Sequence, residues 1–224
     1  DVTLYKGHIP AQYGGRLSSV LDVQLKDGNF QKFIGNGGLG LVSSRLTLEG
    51  PIRKDKTSVL AGGRISYSDW ILRRVQLPDA RQSSAYFYDF LGKAVHRFNS
   101  GSTLTLSYYN SYDFFRFAQD FGFTWRTQLT NLNWKQIWSD RLSSSFSAIA
   151  GQYNSTQFDP IGIDAFTLDN GLRYYKLKHN FFYSPRPSHS INAGAAWTLY
   201  DMRPERIEPR SELSGVAPDE LQRD

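Results

Sequence analysis

Cysteine is absent from the 224 residues, which excludes a disulfide framework and a thiolate metal site. No run approaches the roughly 18 apolar residues of a membrane helix, and the mean hydropathy of −0.46 is that of a polar chain. Histidine is scarce. His8, His96, His179 and His189 stand far apart, in no His-x-x-x-His or Glu-paired spacing, so no zinc site is expected. No Gly-x-Ser-x-Gly elbow occurs. The glycine-rich "GNGGLG" (35–40) lacks a following Lys-Ser/Thr and a helix. It fits a kinked strand packed close to other backbone better than a phosphate cradle. Carboxylates are scattered among turns and loops with no acid/base pair. Neither an enzyme nor a cofactor is expected. No charged-then-apolar leader and no Met open the chain, and Asp1 reads as an internal position.

Aromatic residues, by contrast, make up 15%, with 13 Tyr and 15 Phe. The formal charge is +5, but the basic residues are spread singly, as in "YYKLKHNFF". That describes a solvated face rather than a nucleic-acid patch. Period two dominates. "SINAGAAWTLY" puts Ile191, Ala193, Ala195, Trp197 and Leu199 on one face, and Asn192, Gly194, Ala196, Thr198 and Tyr200 on the other. Tyr175, Leu177, His179, Phe181 and Tyr183 alternate with Tyr174, Lys176, Lys178 and Asn180. Leu104, Leu106 and Tyr108 oppose Thr103, Thr105 and Ser107. Leu132, Trp134 and Trp138 oppose Asn131, Asn133 and Lys135. The fold class read from this is all-β.

Connections alternate in length. "RKDK" (53–56), "NSGS" (99–102), "SDRL" (139–142) and "SPRPS" (184–188) are tight turns. Between them lie "DWILRRVQLPDARQSSA" (69–85), a brief "AQDF" (118–121), "DPIGIDAFTLDN" (159–170) and a tail from Asp201. Long alternating strands, short turns on one edge and mostly longer loops on the other form the pattern of an antiparallel transmembrane β-barrel. Trp134 and Trp138, just above a turn, suit an interfacial aromatic girdle. A soluble β-sandwich also alternates and stands as the other architecture.

The opening stretch is more specific. Leu4-Tyr5-Lys6-Gly7, Tyr13-Gly14-Gly15, Val20-Leu21-Asp22-Val23 and Lys26-Asp27-Gly28 follow one another, and "YGGRLSSVLD" leads on to "SSRLTLEGPIRKDKTS". This resembles the C-terminal end of the plug domain of TonB-dependent outer-membrane receptors, most of all those of the Bacteroidetes type. The resemblance is specific over residues 2–66 and only barrel-like afterwards. It implies that residues 1–29 end a plug domain and that 30–224 form the N-terminal part of a barrel. About nine strands of a larger barrel would then be present, an open sheet in isolation. The plug motif falls on Lys6, Gly7, Tyr13, Gly14, Gly15, Arg16 and Asp22. Arg16 either pairs with acidic groups on the lumen wall or sits on the surface of a hairpin. A plug entering from the periplasmic side also requires two strands between it and "RKDK". Strand one is expected at about 30–40, a very tight turn near Leu41 to Ser44, and strand two running to Ile52.

The function that the resemblance implies is part of an energised importer in the bacterial outer membrane. Its ligand would be a siderophore, cobalamin or glycan. Its partners would be the TonB complex, outer-membrane lipid, the ligand and a surface lipoprotein, with no nucleic acid. Trp70, Arg73, Arg74, Tyr112, Phe114, Phe115 and Arg116, near the extracellular ends, are the ligand-contact candidates. They serve equally as girdle and loop residues. A structural or adhesive barrel without transport and a soluble carbohydrate-binding sandwich are the alternatives from other classes.

Overall fold

The computed structural model describes every residue except 1, 8, 11, 12, 15–17, 160, 161, 163, 212, 213, 216–218 and 221–224. Two short strands, β1 (Val2–Lys6) and β2 (Ser19–Val23), pair antiparallel as a sheet of their own. A second antiparallel sheet holds β3 (Ile34–Leu39), β4 (Ser43–Arg53), β5 (Thr57–Ser66), β6 (Ser84–Asn99), β7 (Ser102–Phe117), β8 (Phe121–Ser139), β9 (Leu142–Phe158), β10 (Phe166–Arg186) and β11 (His189–Pro209). The two-residue β12 (Asp219–Glu220) joins at the β11 edge. Strand order follows chain order, and the sheet is open at β3 and β12. The protein is therefore mostly antiparallel β.

Residues 30–52 do split into two strands around a tight turn, and Gly40 N–H donates to Ser43 O across it at 2.9 Å. The four expected tight turns are present, while the opposite edge differs in three places. Segment 69–85 holds two short helices, α1 (Asp69–Leu72) and α2 (Pro78–Gln82). The Asp69 carboxylate anchors that loop, accepting from Ala85 N–H at 2.9 Å and from Ser84 Oγ at 2.7 Å. Pro78 opens α2, where its fixed φ and missing donor cost nothing. β10 already begins at Phe166, inside the expected 159–170 loop, and β11 continues from Asp201 to Pro209, inside the expected tail. Ladder pairing carries these polar stretches, with Asp169 opposite Arg206 and Arg173 opposite Asp201.

Register assigns every strand residue to a face. Ala94, Leu106, Leu132, Ala148, Leu177 and Trp197 are successive cross-strand partners. So are Lys93, Ser107, Asn131, Ile149, Lys176 and Thr198, one residue away and hence on the opposite face. The first row is apolar; the second is polar apart from Ile149. The N-terminal segment lies over the second face, which we call the covered face. A cavity of about 520 Å3 there is shared by Asp22 and Leu25 with Lys93, Ser107 and Asn131. The bare face stays open: Trp197 is 59% exposed and Leu177 45%. Among the described residues the buried hydrophobic side chains are Leu60, Val95, Ala118 and Ala165.

The strands are also staggered. The row through Thr57, where β5 begins, passes His96, Leu104, Trp134, Phe146 and His179 to Ala195. Ala195 stands six residues past His189, the start of β11. Six residues rise about 20 Å, while six strand intervals span about 29 Å. The line of short turns thus lies about 35° from the perpendicular to the strands.

Candidate functional site

Two regions carry the residues singled out in the sequence. One is the N-terminal segment on the covered face; the other is the loop-bearing edge of the sheet.

In the N-terminal segment, Lys6 ends β1 opposite Ser19. Gly7 follows at φ +94°, a conformation that other residues rarely adopt, which explains glycine here. Tyr13 closes a turn through its N–H to Pro10 O at 2.9 Å. Its ring lies 5.5 Å from Tyr5, with Lys178 Nζ of β10 at 5.4 Å. Burial, then the hydrogen bond and negative charge of Asp22, push the Tyr13 phenol up to about 12. Asp22 also accepts from Gln24 Nε2 at 2.8 Å. Gly14 continues the irregular backbone after Tyr13. Gly15 and Arg16 lie outside the described residues.

The segment that follows is fastened to the sheet. Lys26 Nζ meets Glu49 Oε1 at 2.7 Å, and the Glu49 side chain is 6% exposed. Lys93 Nζ reaches Asp27 Oδ1 at 2.7 Å and Leu25 O at 2.6 Å. A Cβ on Gly28 would stand 2.2 Å from Val59 O, so only glycine lets this backbone lie against β5. The Arg97 guanidinium stacks 3.7 Å from the Phe30 ring centroid, and the Phe33 ring occupies the space above Gly50. Leu60, Val95 and Ser58 are buried beneath this strap.

At the loop-bearing edge the seven candidates fall into three groups. Trp70, Arg73 and Arg74 belong to the α1 loop and line one cavity with Tyr67 and Asp69. Trp70 Nε1 donates to Leu41 O at 2.9 Å, and Tyr67 OH to Gly40 O at 2.5 Å. The loop is thereby pinned to the β3–β4 turn. Tyr112, Phe114 and Arg116 share the bare face with Leu106. Phe114 stacks on Tyr86 at 4.9 Å and Tyr112 on Tyr88 at 5.4 Å. Arg116 Nη2 donates to Gln82 O at 3.4 Å. Phe115 points the other way, opposite Phe123 on the covered face.

Register brings further residues together at that edge of the covered face. Gly38, Arg45, Arg64 and Asp89 are successive partners. Phe87, Asp113 and Trp125 form the adjoining row. Arg64 donates to Asp89 Oδ2 from Nε at 2.8 Å and from Nη2 at 2.7 Å, and its guanidinium lies 4.7 Å from the Phe87 centroid. Phe123 and Trp125 stack at 5.5 Å with a 7° interplanar angle. These residues come from six strands, β3 to β8, so no sequence spacing marks the group. Their common parity with Lys93 and Glu49 is the one signal that finds them.

In comparisons with known proteins, the chain matches no family model, no curated protein and no solved structure. No helix among the described residues is long and apolar enough to cross a membrane, which says nothing of crossing by strands.

Proposed function

We propose that the chain is the end of a plug domain (1–29) and the first barrel strands (30–224) of a TonB-dependent receptor. It works in the bacterial outer membrane as part of an energised importer. The observation that carries this reading is the bare apolar face. Leu106, Leu132, Trp134, Leu177 and Trp197 project from the sheet, while the matching central row of the opposite face, Lys93, Ser107, Asn131, Lys176 and Thr198, is polar apart from Ile149, and that face holds the N-terminal segment. In water each such side chain left exposed forgoes about 1.5–3 kcal/mol of burial. Hydrocarbon removes that cost. A sandwich would instead cover the apolar face with a second sheet.

Three further observations support the reading. The stagger of about 35° suits the strand tilt of membrane barrels, about 35–45°. Trp134 and Trp138 flank Gln136 on the bare face near the short turns. Their indole N–H groups donate to Ser102 and Ser144 at 3.0 and 2.9 Å, so each ring keeps an apolar body outward with its polar edge satisfied. One edge holds only short turns, while the other carries the two longer connections, β5–β6 and β9–β10, beside two tight turns, a loop asymmetry that fits a periplasmic and an extracellular side.

The mechanism follows from unequal attachment. β1 and β2 leave Leu4, Leu21 and Val23 exposed, whereas residues 25–33 are held by two ion pairs, a backbone contact and two ring contacts. A pull from the TonB complex on the upstream plug displaces the hairpin first. The strap stays on the wall and keeps the plug tethered. The ligand, a siderophore, cobalamin or glycan, enters from the loop side, where a surface lipoprotein would also meet the receptor. The test is expression of the full-length receptor in an outer membrane, with two readouts: heat-modifiable gel mobility and ligand uptake that depends on TonB. A protein soluble without detergent and with no heat-modifiable form would overturn the proposal.

A further inference from the structure

The paired arginines at the loop-bearing edge have a chemistry that the importer reading does not specify. Arg45 and Arg64 are directly opposite each other on neighbouring strands. Like charges in that position destabilise a strand pair, and of the two only Arg64 meets a carboxylate, Asp89, among the described residues. Asp89 occupies the Nε–Nη2 edge of Arg64 and leaves Nη1 free. Phe87 beneath the guanidinium holds its plane. Arg45 has no ion-pair partner among the described residues and is exposed. Its partner on β3 is Gly38, whose missing side chain leaves Arg45 Nε uncovered. Both guanidinium groups line a cavity of about 370 Å3 with Gly38, Leu39, Gly40 and Ser43. Asp113 is the next carboxylate, one strand beyond Phe87. The α1 loop, pinned to the β3–β4 turn, carries Arg73 and Arg74 around a separate cavity.

We infer that Arg45 and Arg64 form an anion site that takes a carboxylate or phosphate group of the imported ligand, with Phe87 against Arg64 and the Phe123–Trp125 pair three strands away on the same face to receive a ring. The inference rests on the importer reading and narrows its ligand to an anionic one. The anion supplies the charge that the Arg–Arg pair lacks. The oriented Arg64 and the uncovered Arg45 present donors from two directions. A guanidinium is suited to the planar oxygens of either group.

Inorganic phosphate is the probe, titrated into the full-length receptor in detergent and followed by 31P NMR at constant ionic strength. Arg45→Gln is expected to weaken binding about tenfold, the loss of one charge-assisted hydrogen-bonding partner. Gly38→Leu, which covers Arg45 without changing charge, is expected to weaken it similarly. Arg141→Gln, in a short turn on the opposite edge, is expected to leave it unchanged. Heat-modifiable mobility of each variant shows that it has folded. No phosphate binding to a folded parent, or equal binding in the parent and Arg45→Gln, would overturn the anion site while leaving the importer reading intact. A parent with no heat-modifiable form would overturn the importer reading. Phosphate binding that still requires Arg45 in that sample would uphold the anion site alone.

Discussion

Replacing Leu132 by arginine tests the proposal that the bare face of the sheet meets lipid. Leu132 stands mid-row on the bare face, with Leu106 and Ala148 directly opposite. An arginine near the bilayer midplane costs about 2–4 kcal/mol, against about 0–1 near the interfaces. Asn131, the preceding residue, faces the polar cavity under the N-terminal segment and leaves its buried Oδ1 without a partner. Its own cross-strand neighbours are Ser107 and Ile149, so Asn131→Arg meets no cation directly opposite. A smaller cost is expected there, because that position already faces a polar lumen. The two variants therefore differ by up to about 2–4 kcal/mol, roughly 30- to 700-fold in the folding equilibrium. In water the contrast would vanish: Leu132 is already 39% exposed, and such open positions change stability within about 0.5 kcal/mol. The assay is urea titration of the protein in lipid vesicles, read by tryptophan fluorescence. Equal penalties for the two arginines would refute the assignment of faces.

Other outcomes follow from the strap. Gly28→Ala drives a methyl into Val59 O and is expected to cost about 3 kcal/mol; unchanged resistance of residues 24–30 to limited proteolysis would count against it. Lys93→Met strands Asp27 and the Leu25 carbonyl, with an expected cost of about 1–2 kcal/mol. Asp27→Asn in the same chain should recover part of it, so strict additivity in a double-mutant cycle would show that the pair is uncoupled. The Tyr13 phenol, raised to about 12, favours the neutral form in the folded state. Its contribution is fully present below pH 10 and lost as pH rises towards 12, so Tyr13→Phe should flatten the alkaline fall in stability. An identical fall in parent and variant would refute this.

The faces of the strands were legible because alternation is local. Lys176 and Leu177 point oppositely whatever they pair with, and four separate stretches gave a parity that register then joined into one face. The split of 30–52 was also legible, from length and from the number of crossings that the plug resemblance required. The helices of 69–82 were not, since α1 is four residues long and depends on Asp69 reaching Ala85 and Trp70 reaching Leu41. The extensions of β10 and β11 were missed because Asp169, Asn170 and Asp201 are poor strand formers alone. Cross-strand partners overrode propensity there. The Arg45, Arg64 and Asp89 group was hidden for a related reason. Register places them together, and register is a property of strand pairs. The same blindness put Tyr112, Phe114, Phe115 and Arg116 in one set, although adjacent strand residues cannot share a face.

The strand count carries a topological consequence. β3 and β11 are the first and last of nine consecutive up-and-down strands, so they run in the same direction. Bending the sheet until these two met would make a parallel seam in an otherwise antiparallel ring. β12 runs back along β11 through Arg206–Glu220 and Ile207–Asp219. Any cylinder that includes this sheet and keeps antiparallel pairing throughout must have an even number of staves, and the stave that docks on β3 must descend.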